Sequence, residues 1–468
     1  MSMKRNSHLM GLAALAAMAM FAVSPVVAGA ASPAAAPQKG ETFIIGTDAP
    51  LAAVASFSVQ ISSIEAVDTS TGASAQLLSG PATIDFARYD GLQTLIDINS
   101  VPVGTYDQIV ISIGPNPSLG YLLTSAGNPP SIQYMTPTLT TSTITKNLRP
   151  FMVSAAEPVG IRMDFDLHRS IQVVNHEITG IVDPIFDVRV VGPNAPGAFI
   201  DELDTGVYSV DLSNQTFVVQ GPHGRFWTID VTGQTQWDGG ATLAELNNNT
   251  IVQISGTLDR ATSTITADEV TILSQNGFYA GGLSTFVTSS SGDTASSFDL
   301  YVRGLLPTTT GLKQGEIATV QLSGDEAYYV RWNRHRLPES LSTLVFNSGA
   351  LLPGQSIGVG GPASGAGNPD DVTVKRVTLR DRGYVGTVVD GSVKVGKDTF
   401  QMKVDGFAGQ LIPQTINVYL TGYTAFRYGY TGIRELRGGD LVRVVGLLIK
   451  NPANGETILI GRYVDALD

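Results

Sequence analysis

Val252-Gln253-Ile254-Ser255-Gly256 and Leu441-Val442-Arg443-Val444-Val445-Gly446 are the stretches on which the fold turns. Each is a short, largely aliphatic run closed by a glycine, and each holds the same place in its surroundings. Tyr208-Ser209-Val210, Thr235-Gln236-Trp237, Leu243 and Leu246 precede the first, and Ala267-Asp268-Glu269-Val270 follows it. Val385-Gly386-Thr387-Val388, Thr424-Ala425-Phe426 and Leu436 precede the second, and Tyr463-Val464 follows it. Two copies of one plan in one order mark a degenerate repeat. Phe278 to Leu379 is a longer, looser copy, matching through Leu352 to Val359 and Val372 to Leu379, with an insertion that carries Arg331 to Arg336.

Each copy holds about five short strands separated by turn residues. Asp390-Gly391 and Asn454-Gly455 are strong hairpin signals, because both central positions of such a turn favour residues tolerant of positive φ. The one helical candidate per copy is short, at Ala241 to Asn247 and Ile433 to Arg437. Five strands with a small helical cap predict an OB-like closed barrel, which also hides its sheet edges.

Upstream, the pattern has period two. Phe43, Ile44 and Ile45 open a strand that ends at Gly46 to Pro50; Phe57, Val59 and Ile61 alternate with polar residues, as do Ile109, Ile111 and Ile113 with Val110 and Ser112. Ile161 to Val173 reads as one strand and Ile185 to Val191 as the last before Pro193-Asn194-Ala195-Pro196 breaks the chain. The expected fold class is all-β: a β-sandwich over 41–200, then barrel repeats over 201–274, 275–381 (with the insertion) and 382–468.

Composition sets the compartment. Charged residues are 15% of the 468, hydrophobic residues 43%, and glycines number 51, a blend typical of secreted β-proteins and unlike disordered chains. Lys4 and Arg5, the apolar run Leu9 to Val23 and Ala28-Gly29-Ala30 read as a signal peptide over 1–30, followed by an Ala/Pro-rich linker over 31–40. The expectation is export to the periplasm or cell exterior, with no transmembrane segment after cleavage. The absence of cysteine excludes disulfides, thiolate metal sites and a lipidated N-terminal Cys, so a conventional lipoprotein is excluded. The net charge of −12 argues against nucleic acid as a partner.

Two family resemblances attach to these motifs. Thr47-Asp48-Ala49-Pro50, Val103 to Ile109 (VGTYDQI) and Met163 to Ser170 (MDFDLHRS) make residues 41 to roughly 195 resemble the bacterial domain of unknown function 4382. The three C-terminal copies resemble domain of unknown function 5666, the first and third well and the second weakly. Neither family carries an assigned activity, so the resemblance implies an envelope or secreted β-protein and no catalytic residues.

Candidate chemistry is sparse. Gly354-Gln355-Ser356-Ile357-Gly358 fits a nucleophile elbow, but the Val359-Gly360-Gly361-Pro362 that follows cannot start the required helix. Asp164 and Asp166 share a strand face and, with Asp48 or Asp85, could hold calcium through carboxylate oxygens; otherwise they flank Phe165 or pair with Arg162 or Arg169. The four histidines beyond the leader have no metal-ligand spacing. Trp332, Arg334 and Arg336 sit in a basic-aromatic cluster that could grip an anionic glycan or lipid head group, or fold against an acidic neighbour. Tyr423, Phe426, Tyr428 and Tyr430, with Tyr419, crowd the last copy and could stack on sugar rings, or fill its core and cap a seam between domains. The leading expectation is a non-enzymatic binding or structural protein whose partner is a polysaccharide or a cell-surface protein. The alternatives are a glycan-active hydrolase using Asp164 or Asp166, and a purely architectural spacer.

Overall fold

The computed structural model describes residues 38–468 except 126–127, 176, 193–197, 222–225, 259–263, 290–293, 309, 332–336, 338, 405–414, 452–453 and 468. The expected leader and most of the linker lie outside the described residues. No helix among the described residues is long and apolar enough to cross a membrane. Almost all regular structure is strand, and Gln38–Asp468 cluster into one compact unit.

The N-terminal part is a sandwich. One sheet runs Phe186–Val191, Val159–Asp166, Lys39–Ala49, Thr94–Pro102; the other runs Thr143–Val153, Gly104–Ile113, Val54–Val67, Ser118–Ser125, Asn128–Met135. Alternation places Phe57, Val59, Ile61, Ile109, Ile111 and Ile113 inward, all buried. Phe165 and Phe186 stack at 4.4 Å, and Phe57 meets Phe165 edge-on at 5.2 Å. Each such ring contributes about 1.5–3 kcal/mol by leaving water.

The stretch Ile161 to Val173 is not one strand. After Asp166 the chain makes a single helical turn, Leu167–Ser170, before the strand Ile171–Val174. The Asp166 side chain accepts from the Arg169 backbone N–H at 2.8 Å, a helix cap that the period-two reading does not anticipate.

Two closed five-stranded barrels carry the repeat. The first closes in the order Ile200–Asp211, Thr216–Gln220, Phe226–Trp237, Ile265–Gln275, Thr250–Leu258; the last in the order Arg382–Val388, Thr399–Val404, Thr415–Arg427, Thr457–Ala466, Leu441–Lys450. In both, the third strand runs parallel to the fifth, as in the OB-fold. The short helices are single 3₁₀ turns, Leu243–Glu245 and Ile433–Glu435, at the predicted places. The glycines that close the two quoted stretches sit at matching bulges; a Cβ on Gly256 would stand 2.1 Å from the Thr266 carbonyl oxygen, and one on Gly446 2.0 Å from that of Ile460.

The middle copy differs: its seven strands pair in the order Ala327–Val330, Arg376–Arg380, Ser356–Pro362, Gly277–Ser289, Ala295–Leu306, Ile317–Gln321, Val372–Thr373, and among the described residues the ladder does not close. Its core is continuous with Leu447, Ile449, Ile458 and Ile460 of the last barrel, while Phe43, Ile45 and Leu95 of the sandwich join the core of the first.

Candidate functional site

Arginines stitch the four parts together, and the space left beside them is the candidate site. Arg303 of the middle sheet donates to Asp90 at 2.7 Å and to the Ala55 and Val54 carbonyls of the sandwich. Arg382 of the last barrel donates to Asp90 and to the Ala52 carbonyl. Arg443 bridges Asp465 at 2.8 Å, Asp164 at 3.0 Å and the Asp48 carbonyl at 2.6 Å. Arg462 joins Asp381 to Asp201 of the first barrel. Arg380 forks to Glu202 and, at 2.8 Å, to Asp204, and also donates to the Tyr279 hydroxyl at 2.6 Å. All five guanidiniums are buried or nearly so, and each has carboxylates and carbonyls to satisfy its donors, the condition under which buried charge is tolerated.

Burial tends to raise the Asp465 carboxyl, but Arg427 and Arg443 outweigh it and hold it at about 2. Asp164 is likewise lowered: burial raises it, and Arg443 and Arg162 more than offset that. Burial dominates at Asp48, which is pushed well up against the opposing Gly91 N–H, and at Glu202, which is raised despite Arg380.

Beside this network lies a cleft of about 990 Å³ between the sandwich (82–85, 88–90 and 92–96), the first barrel (202–206, 220–221 and 248–251) and the middle sheet with the residue that follows it (276–277, 279, 281–282, 303–308, Gln314, Ser356, Arg380 and Asp381). Five carboxylates and three guanidiniums face it, and Arg303 and Arg380 already hold Asp90, Glu202 and Asp204. Around them stand the exposed side-chain amides of Gln220, Asn248, Asn249, Asn276 and Gln314, which have no hydrogen-bond partner among the described residues. A side-chain amide offers both donor and acceptor, so such a ring can pair with hydroxyl groups in either sense. No histidine lines the cleft among the described residues.

The residues singled out from sequence lie elsewhere. Asp164 is gripped by Arg162 and Arg443, and Asp166 caps a helical turn and pairs with Arg169. Asp48 takes the Gly91 N–H at 2.7 Å, while Asp85 takes that of Phe57 at 2.8 Å. Of these four only Asp85 faces the cleft. Among the described residues no group of three or more His, Asp or Glu side chains is arranged to hold a metal. Ser356 opens a strand in mid-sheet, without the helix an elbow requires. The aromatic cluster is dispersed: Tyr423 is exposed, Phe426 and Tyr430 pack on the core of the last barrel, and Tyr428 lies under Arg162 at 4.6 Å and Arg189 at 4.5 Å. Trp332, Arg334 and Arg336 lie outside the described residues. Their neighbour Arg331 donates to Thr271 at 2.8 Å and faces Glu269 of the first barrel.

The arginines that organise the site follow no local motif; their visible signal in the sequence is Arg380-Asp381-Arg382, a charged triplet at the junction between two repeats in a chain poor in charge.

No curated protein matches this chain. Among solved structures, a copper(II)-bound variant of CusF from Escherichia coli matches with 13% identity and a TM-score of 0.15, over 19% of this chain and 94% of that one. Residues 42–184 match the family model described as domain of unknown function (DUF4382), and residues 207–271 match the one described as domain of unknown function (DUF5666), in the order their motifs predict.

Proposed function

We propose that this protein is an exported, non-catalytic binding protein of the bacterial envelope whose ligand is a neutral polysaccharide held in the three-sided cleft. The observation that carries this reading is the set of five unpartnered amides around a polar cleft whose own carboxylates are largely held by arginine. Sugar hydroxyls supply the donors and acceptors those amides lack. The excess of carboxylates over guanidiniums in the lining disfavours uronate-rich or sulfated chains. The arginine stitching fixes the three walls relative to one another before a ligand arrives, which reduces the ordering cost of binding.

The test is retention of the purified mature chain on insoluble glucan, mannan, xylan and galactan, beside a Gln314→Ala, Asn249→Ala double variant. Both amides are exposed, so the variant should keep the wild-type melting temperature. Loss of two hydrogen bonds should weaken binding by roughly tenfold or more. Retention of the variant equal to the wild type, or none of the wild type on any polymer, would remove the cleft as a glycan site.

A further inference from the structure

On the strand Ile200–Asp211 alternation puts Glu202 and Asp204 on one face with Gly206, and at the bulge between Val207 and Ser209 the side chain of Tyr208 is exposed. The first three of these positions that face outward, 202, 204 and 206, line the cleft. Tyr208 lies two residues beyond Gly206, past the residues of this strand that line the cleft. On the neighbouring strands Gln220, which also lines the cleft, pairs in register with Phe226, which puts Phe226 on the same outer face. The two rings meet with centroids 4.4 Å apart, and they are 58% and 50% exposed. Between cleft and rings stands Gly206, where an added Cβ would meet nothing within 4 Å.

We propose that Tyr208 and Phe226 form a stacking platform at the mouth of the cleft, so that the ligand is a linear neutral glycan running from the cleft across Gly206 onto the two rings. This rests on the cleft reading above and adds the ligand's shape and direction. A pyranose ring is apolar on its face and polar at its edge. Chemistry of that kind suits a pair of half-exposed rings flanked by Gln220 and the hydroxyl of Tyr208 itself. The chain's net charge of −12 disfavours the other stacking partner of such a platform, a nucleic-acid base.

The experiment is calorimetric titration of the full mature chain with neutral oligosaccharide ladders, from disaccharide to hexasaccharide, drawn from the polymers that retain it. Three proteins are compared: wild type, the Tyr208→Ala, Phe226→Ala double variant, and Gly206→Leu. Gly206→Leu introduces a side chain into open space and is expected to fold normally, blocking the passage. Wild-type affinity should rise with chain length. Both variants should lose that rise, about tenfold or more at the hexasaccharide, and the Tyr208→Ala, Phe226→Ala variant should bind the shortest oligomer like the wild type. Wild-type-like length dependence in both variants overturns the platform and leaves the cleft reading standing. Failure of wild type to bind any oligomer or polymer overturns both.

Discussion

Gln253 in the first barrel and Arg443 in the last stand at the same rung of the same strand, two residues after the partners of Gly206 and Thr387. Both are buried. The amide of Gln253 turns to Asp204 of its own barrel at 2.7 Å. The guanidinium of Arg443 reaches out of its barrel to Asp164 and the Asp48 carbonyl of the sandwich. The contrast extends across the outer faces. At the register position of Phe226 opposite Gln220, the last barrel has Thr415 opposite Lys403. One skeleton thus serves two ends: the last barrel uses buried arginines to lock the molecule together, and the first leaves the amides of Gln220, Asn248 and Asn249 exposed on its outer side. What differs is a few head groups on outward positions, where the barrel imposes no constraint.

The comparison breaks first at Arg443. Arg443→Met leaves Asp164 with Arg162 and Asp465 with Arg427, each one cation short in a buried place, and should destabilise by about 3–5 kcal/mol. Gln253→Met leaves Asp204 with Arg380 and should cost about 1–2 kcal/mol. Denaturant midpoints of the two variants measure the difference. Equal losses would mean that the last barrel's arginine does no more for the assembly than an ordinary buried hydrogen bond.

A smaller effect follows from Asp465. Its carboxyl is held at about 2, below the ordinary 3.8, so the folded state binds its proton less readily than the unfolded chain. The stability this supplies is fully present above pH 4 and is lost as pH falls toward 2, about 2 kcal/mol in all. Asp465→Asn should flatten the stability profile in that window. The first barrel has Thr271 at the corresponding register, one residue past Val270, so no substitution there should change the acid limb. A wild-type acid limb in Asp465→Asn would place the acid sensitivity of the assembly outside this pair.

Legibility in the sequence follows the same division. Inward positions repeat because a small barrel restricts what fits, so the strands, the 3₁₀ turns and the bulge glycines show through a degenerate repeat. Gly256 and Gly446 are legible since any Cβ there would collide with a backbone carbonyl. The cleft is not legible, because Arg380 and Gln314 come from the middle sheet and Gln220 and Asn249 from the first barrel, and they acquire meaning only when those parts dock. Tyr428 misleads for the same reason: as a sequence neighbour of Tyr423 and Tyr430 it suggests an exposed aromatic surface, but arginines contributed by the sandwich stand over its ring. Asp164 and Asp166 look like a pair along the strand, yet the first is claimed by a guanidinium far away in sequence and the second by a helical turn.

The smallest effect asks where the barrels remain alike. In both, the long third strand carries Thr-Gly-x-Thr: Thr232 to Thr235 and Thr421 to Thr424. The second threonine accepts from the backbone N–H of the first, at 2.9 Å in one barrel and 2.8 Å in the other, and donates to a carbonyl of the fifth strand at 2.7 Å in each. The hydroxyl thereby carries the third strand across the break in its parallel ladder, between Val231 and Gln236 and between Leu420 and Ala425. Thr235→Val and Thr424→Val keep the shape and remove the hydroxyl, so each should lose about 1 kcal/mol, by the same amount within error. Thermal unfolding of the two single variants and the double decides it. Equal and additive losses would show that this brace belongs to the barrel skeleton and owes nothing to what each barrel touches. A larger loss at Thr424 would show that docking by the arginines has spread its tension into the strand that carries Arg427, and the separation between skeleton and outer face would no longer hold.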